Sequence, residues 1–111
     1  MSMTMVGHTV VEISLEGEYV KAVPNEFTVT PGDTLQIHST GGKHRVEFKP
    51  WPFQEEEQKN GIVTDAKFTF VKSGNGDFDF FCYFKPDGGK EHKYPKGTNG
   101  KPDGGHGSVR P

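Results

Sequence analysis

One stretch constrains this chain more than any other: Asp77-Phe78-Asp79-Phe80-Phe81-Cys82-Tyr83-Phe84. Phe78, Phe80, Cys82 and Phe84 alternate with Asp79, Phe81 and Tyr83, which is the period-2 pattern of a strand. The alternation sets Cys82, the only cysteine of the chain, on the face that carries Phe78 and Phe80. With that face turned to a core, the thiol ends a buried aromatic row. A loop of Gly, Pro, Lys and Asp follows and carries His92 and His106. Sulfur at the end of a core strand, with imidazoles on the next loop, points to a soft-metal site.

The rest of the chain must supply a core around that strand. At 111 residues it is predicted to form a single domain over residues 1–111, with one modest core. Residues 1–8 read as a flexible N-terminus, and residues 85–105 as a long Gly/Pro-rich ligand loop. Hydrophobic residues make up only 31% of the chain, so its nine Phe residues must supply much of the burial. Fifteen Gly and eight Pro imply frequent turns and an all-β fold. A net charge of -2 provides no basic field for nucleic acid or anionic lipid, and no nucleic-acid partner is expected. A single cysteine excludes an intramolecular disulfide and any multi-cysteine zinc or iron–sulfur site. No run is long enough for membrane insertion. The start, Met1-Ser2-Met3-Thr4-Met5, lacks the basic and apolar regions of a signal peptide.

Strand signals recur along the chain. Val11, Ile13 and Leu15 alternate with Glu12 and Ser14, which predicts a strand from Thr9 to Leu15 that ends at Gly17. Phe27 and Val29 alternate next, then Pro31-Gly32-Asp33 makes a turn. Leu35 and Ile37 form a strand, Ser39 to Gly42 a loop, and Val46 and Phe48 another short strand after His44. From Pro50 to Thr64 the pattern breaks. Gln54-Glu55-Glu56-Glu57-Gln58-Lys59 reads as a solvated surface with a helical turn, while Trp51 and Phe53 pack toward the core. Phe68 and Phe70 alternate again, and Ser73-Gly74-Asn75-Gly76-Asp77 reads as a hairpin into the cysteine strand. Lys85-Pro86-Asp87-Gly88-Gly89 returns as Lys101-Pro102-Asp103-Gly104-Gly105, two tight turns that bracket the histidine-bearing loop. Short strands with frequent turns and no long helical pattern predict a β-sandwich.

In order and spacing, several of these stretches resemble the cupredoxin, or blue-copper, family. They are Val23-Pro24-Asn25-Glu26-Phe27-Thr28-Val29-Thr30-Pro31-Gly32-Asp33-Thr34-Leu35-Gln36-Ile37, then Gly42-Lys43-His44-Arg45-Val46-Glu47-Phe48, then Phe68-Thr69-Phe70 with Gly76-Asp77-Phe78-Asp79-Phe80-Phe81-Cys82. The resemblance covers roughly residues 9 to 84. It implies a Greek-key β-sandwich, one mononuclear copper site, and His44 and Cys82 as two of its ligands. It also implies a second histidine soon after the cysteine, and usually a methionine beyond it. The chain departs from the family there: the first histidine after Cys82 is His92, and all three methionines stand at the N-terminus. His92 and His106 therefore compete for the third position. His106 is expected to be the better anchored, because a final strand adjoins it. Glu91 or a carbonyl from Gly41 or Gly42 is the candidate axial donor. His38 stands where the family often has a polar residue that ties the ligand loops together, and it is assigned that supporting role or an axial one.

The resemblance implies one-electron transfer with a redox partner protein, outside the cytoplasm, in the periplasm or secreted. Two other readings stay open. One is a copper-carrying or metal-free cupredoxin-like binding module. The other is a copper site with an open position that reacts with a small molecule. No nucleophile elbow and no phosphate-binding glycine loop argues for other enzyme chemistry. Without a metal, a thiol among phenylalanines is a poor thiolate.

Overall fold

The computed structural model describes residues 7–16, 19–70, 76–89, 92–93 and 104–110. Among them run β1 (His8–Glu16), β2 (Tyr19–Val23), β3 (Glu26–Val29), β4 (Thr34–Ser39), β5 (Gly42–Lys49), β6 (Lys67–Thr69), β7 (Gly76–Pro86), β8 (His92–Lys93) and β9 (Gly104–Val109). No helix occurs among the described residues. One sheet has the order β2-β1-β4-β6, the other β3-β9-β7-β5 with β8 paired to β7. They pack as a sandwich, the all-β fold that the short alternating strands predict. Two pairings are parallel, β1 with β4 and β3 with β9, and the others are antiparallel.

The core lies between the sheets because alternation gives each strand one apolar face. Val11, Ile13, Leu35 and Ile37 face inward from the first sheet; Val46, Phe48, Phe78, Phe80, Cys82 and Phe84 face inward from the second. Burying each such aliphatic or aromatic side chain stabilises the fold by roughly 1.5–3 kcal/mol. The nine Phe residues do supply much of the packing. Phe48 sits edge-on to Phe53 with ring centroids 4.9 Å apart, and tilted against Phe80 at 5.5 Å. These separations suit the ring quadrupoles.

Three local expectations change. Residues 54–59 form no helical turn; they are exposed and run as bends and loop, with Gln58 beginning the contact that closes a turn at Gly61. The irregular segment instead bridges back at two points, Phe53 to Phe70 and Ile62 to Val46. The Ile62 bridge satisfies backbone groups on the outer edge of β5, with N···O distances of 3.0 and 2.8 Å. Second, Ser73 to Asp77 is not a hairpin. β6 pairs with β4 in the first sheet, while β7 pairs with β5 and β9 in the second, so this connection crosses the sandwich. Residues 71–75 themselves lie outside the described residues. Third, the turn after β4 is shorter than expected, while Tyr19–Val23 adds a strand with Val20 and Ala22 buried. Ser39 and Gly42 also belong to strands, which leaves only Thr40 and Gly41 to turn the chain.

Candidate metal centre

The second sheet positions His44 and Cys82. In the antiparallel β5–β7 ladder His44 opposes Phe84, Val46 opposes Cys82 and Phe48 opposes Phe80. Opposed residues share a face. His44 and Cys82 are therefore diagonal neighbours on the inner face, 6% and 0% exposed. Two glycines make this placement possible. Gly41 turns the chain at φ +80°, a conformation that favours glycine. At Gly42 a Cβ would run into the Phe84 ring and the Lys85 carbonyl, so only glycine lets β5 start tight against the end of β7.

His44 is held at both nitrogens. Nε2 lies 2.9 Å from the Thr64 carbonyl oxygen, and Nδ1 lies 3.0 Å from Ser39 Oγ. A carbonyl only accepts, so Nε2 carries a proton. Burial pushes the His44 pKa below its ordinary value, outweighing the Thr64 carbonyl and the Asp65 charge, which act upward. The ring is thus neutral near pH 7, and Nδ1 presents its lone pair. That is the form in which histidine ligates a metal, with the other ring nitrogen oriented by a backbone carbonyl. Ser39 Oγ also lies 3.0 Å from the Gly42 carbonyl. Its one hydrogen therefore has two acceptors, Gly42 O and His44 Nδ1.

Ser39, and not His38, is the β4 residue in contact with the His44 ring. Leu35 and Ile37 face the core, so His38 falls on the outer side of β4 and is exposed, whereas Ser39 turns inward. The carbonyls of Gly41 and Gly42 are engaged as well, by Asp87 N at 3.1 Å and by Ser39 Oγ. Glu91 lies outside the described residues, as does most of the 85–105 loop, residues 90–91 and 94–103.

The competing histidines sit in different strands. His92 in β8 is the register partner of Phe84, on the edge of β7 away from β5. His44, Phe84 and His92 thus form one register row across three strands. His106 does sit in a final strand, on its outer face. It opposes Asp79 in β7 and Glu26 in β3, and its Nδ1 lies 2.9 Å from Asp79 Oδ1 on the outer surface. The neighbouring positions face the core: a Cβ at Gly105 or Gly107 would strike the Phe80 or Phe78 ring. Position 106 must therefore face outward, away from Cys82. Asp79, with Asp77 and Glu26 farther off, raises the His106 pKa above its ordinary value. Among the described residues, no three His, Cys, Asp or Glu side chains gather as a metal-binding group.

Sequence reasoning missed Ser39 and Thr64, and it missed a cluster on the outer face beside the thiol. Arg45 lies 3.7 Å over the Tyr83 ring and its Nη1 is 3.0 Å from Glu47 Oε2, while Tyr83 OH donates to Glu47 Oε1 at 2.9 Å. The stacked guanidinium covers the phenol, which is only 3% exposed. Arg45 and Glu47 two apart on a strand were the available signal, since residues i and i+2 share a face. A depression of about 630 Å³, lined by Glu47, Trp51, Glu57 and Phe81 among others, opens next to this cluster and touches neither His44 nor Cys82.

No protein-family model matches the chain, and no curated protein matches it.

Proposed function

We propose that this protein is a cupredoxin-like, mononuclear copper-binding protein that transfers single electrons to and from a redox partner protein outside the cytoplasm. The observation that carries the reading is His44: a buried, neutral imidazole, oriented at Nε2 by the Thr64 carbonyl, on the same sheet face as the fully buried Cys82. A thiolate with imidazoles selects copper or zinc; His44 and Cys82 supply one donor of each kind, and no group of three donors gathers among the described residues. His92 is the third ligand in this reading, because the β7–β8 register sets it in the row of His44. The crossovers between sheets and the parallel pairings of strands distant in sequence support the Greek-key type.

Copper would supply a one-electron couple. The chain's own residues do the rest. The strands paired on either side of Phe84 would hold His44 and His92 and limit their movement between oxidation states. Cys82 is fully buried in the core cluster that includes Phe80 and Phe84, and a dry surrounding of this kind would bear on the potential. The test is to add copper(II) to the protein with Cys82 reduced and record the visible spectrum. An intense sulfur-to-copper charge-transfer band is expected; its absence overturns the reading.

One observation favours a second reading, a copper-carrying or metal-free binding module. Both ring nitrogens of His44 already have protein partners, so the site is satisfied without a metal. Reversible redox cycling of the copper-loaded protein separates the two: an electron-transfer protein cycles, and a carrier need not.

A further inference from the structure

β5 is the last strand of its sheet, so one of its edges has no strand beside it. On that edge Val46 exchanges both backbone hydrogen bonds with Ile62, at 3.0 and 2.8 Å. The backbone groups of Val46 therefore point away from β7, and by the strand's period of two so do those of Phe48. Gly61 still lies against β5, where a Cβ would come within 2.8 Å of the Val46 oxygen. Its N–H bonds back to the Gln58 oxygen at 2.9 Å, so the chain turns off the edge there and leaves the lane beside Phe48 open. The depression of about 630 Å³ lies in that lane, with Phe48 and Trp51 on one side and Gln58, Lys59 and Gly61 on the other. Among the described residues, the outward N–H and C=O of Phe48 have no partner.

The charged walls of this slot are Glu47, Lys49, Glu57 and Lys59. Glu47 is already balanced: one oxygen accepts from Tyr83 OH at 2.9 Å and the other pairs with Arg45 at 3.0 Å. Lys49, Lys59 and Glu57 form no ion pair among the described residues, so two cations stand against one anion and the slot favours a negative group. Trp51 is half-buried, and its indole N–H is taken by the Glu55 carbonyl at 2.7 Å, which leaves the ring as an apolar wall. A free backbone donor and acceptor call for another extended chain. Gly61 and Ile62 block one end of the lane, so a chain can enter it but not run through. We propose that the slot binds the C-terminal residue of a partner protein, added antiparallel to β5 at Phe48. In that pairing the last residue donates its N–H to the Phe48 carbonyl, and the Phe48 N–H donates to the terminal carboxylate, at the end of the lane that Gly61 closes. The last side chain shares the face of Phe48 and meets Trp51, which favours an apolar residue. The residue before it lies opposite Lys49, which favours an acidic one. The slot touches neither His44 nor Cys82, and the proposal does not rest on the copper reading.

The test uses the full chain labelled with 15N and an N-acetylated tripeptide, alanine-glutamate-leucine, with a free C-terminal carboxylate. In the protein alone the Phe48 amide should exchange with solvent at least about tenfold faster than that of Glu47, whose N–H points to β7. The peptide should bind with a Kd below about 1 mM, shift the amide signals of Phe48, Lys59 and Gly61 and the indole signal of Trp51, and slow exchange at Phe48. The C-terminal amide of the same peptide should bind about tenfold more weakly, because a hydrogen bond to a charged group becomes one to a neutral group. Methylating the last peptide nitrogen should weaken binding by a similar factor, since it removes the donor to Phe48. Lys59→Gln should weaken the free-acid peptide about threefold at low salt and less in high salt. Equal affinity for the acid and the amide overturns the proposal, and so does a peptide that leaves the Phe48 signal in place. Slow exchange at Phe48 in the free protein overturns it too. If that protection grows with protein concentration, the edge pairs with a second copy of this chain instead.

Discussion

His44 and His106 are carried by the same sheet, yet their surroundings push them in opposite directions. His44 faces inward, is buried, and has its proton affinity lowered by that burial. His106 faces outward onto Asp79, which raises its proton affinity. The difference comes from parity. β7 carries Phe78, Phe80, Cys82 and Phe84 on one face and Asp77 and Asp79 on the other, and each neighbouring strand inherits that division through its register. A histidine one position along would change face and chemistry together. Chain distance from Cys82 says little about which histidine shares its face; register says nearly everything.

The sharpest way to break the comparison is with copper. His44→Ala should abolish the charge-transfer band, and His92→Ala should abolish it too. His106→Ala should leave the band intact, because position 106 is on the far face of the sheet. A band lost in His106→Ala and kept in His92→Ala would mean that β9 is placed differently in the copper-loaded protein.

The next contrast concerns stability on the two faces of one strand. Phe78→Ala removes a ring that is 2% exposed and packed against Phe27, Phe48 and Phe70. It should cost about 3–5 kcal/mol in urea denaturation, from lost transfer energy plus the cavity left behind. The adjacent outer-face variant Asp79→Ala should fall within about 0.5 kcal/mol of wild type. Comparable losses for the pair would show that the inner face is not the core face.

A subtler contrast lies within β9. Gly107→Ala adds one methyl, directed into the Phe78 ring. Overpacking of this kind should cost about 1–3 kcal/mol. His106→Ala, which removes far more side chain one position away, should cost less. The order of the two midpoints in urea decides it.

Why one face was legible and the other was not follows from these residues. The inward row of β7 is written in its own alternation, and so is the burial of His44 with Val46 and Phe48. The sandwich follows from the same local signals. The face of His106 is also written locally, in Gly105 and Gly107, but only for a reader who knows that Phe80 and Phe78 oppose them. That pairing joins residues far apart in sequence, and alternation in one strand does not specify its neighbour. The connection from β6 to β7 misled for the same reason, since a Gly-Asn-Gly turn looks alike within a sheet or between sheets. Thr64 could not be found at all, because its contact with His44 uses a backbone carbonyl that every residue has. Ser39 could have been found: it is the inward position after Leu35 and Ile37, and His38 is not.

The smallest expected effect is the most direct reading of the comparison, the titration of the two imidazoles. In NMR, the ring signals of His44 should titrate below the ordinary histidine value of about 6.5, and those of His106 above it. The linked stabilities have opposite signs. The raised value of His106 contributes stability that is complete below the ordinary value and lost as pH rises through its native midpoint. The lowered value of His44 contributes stability that is complete above the ordinary value and lost as pH falls through its native midpoint. The advantage of wild type over His106→Gln should therefore shrink as pH climbs through the His106 midpoint. It should be slight, and slighter in salt, since both partners of the Asp79 pair are exposed, 51% and 61%. Asp79→Asn should bring the His106 midpoint down toward the ordinary value and leave that of His44 in place, because the two rings lie on opposite faces of the sheet. If both midpoints move together, the faces are coupled through the sheet and the comparison fails.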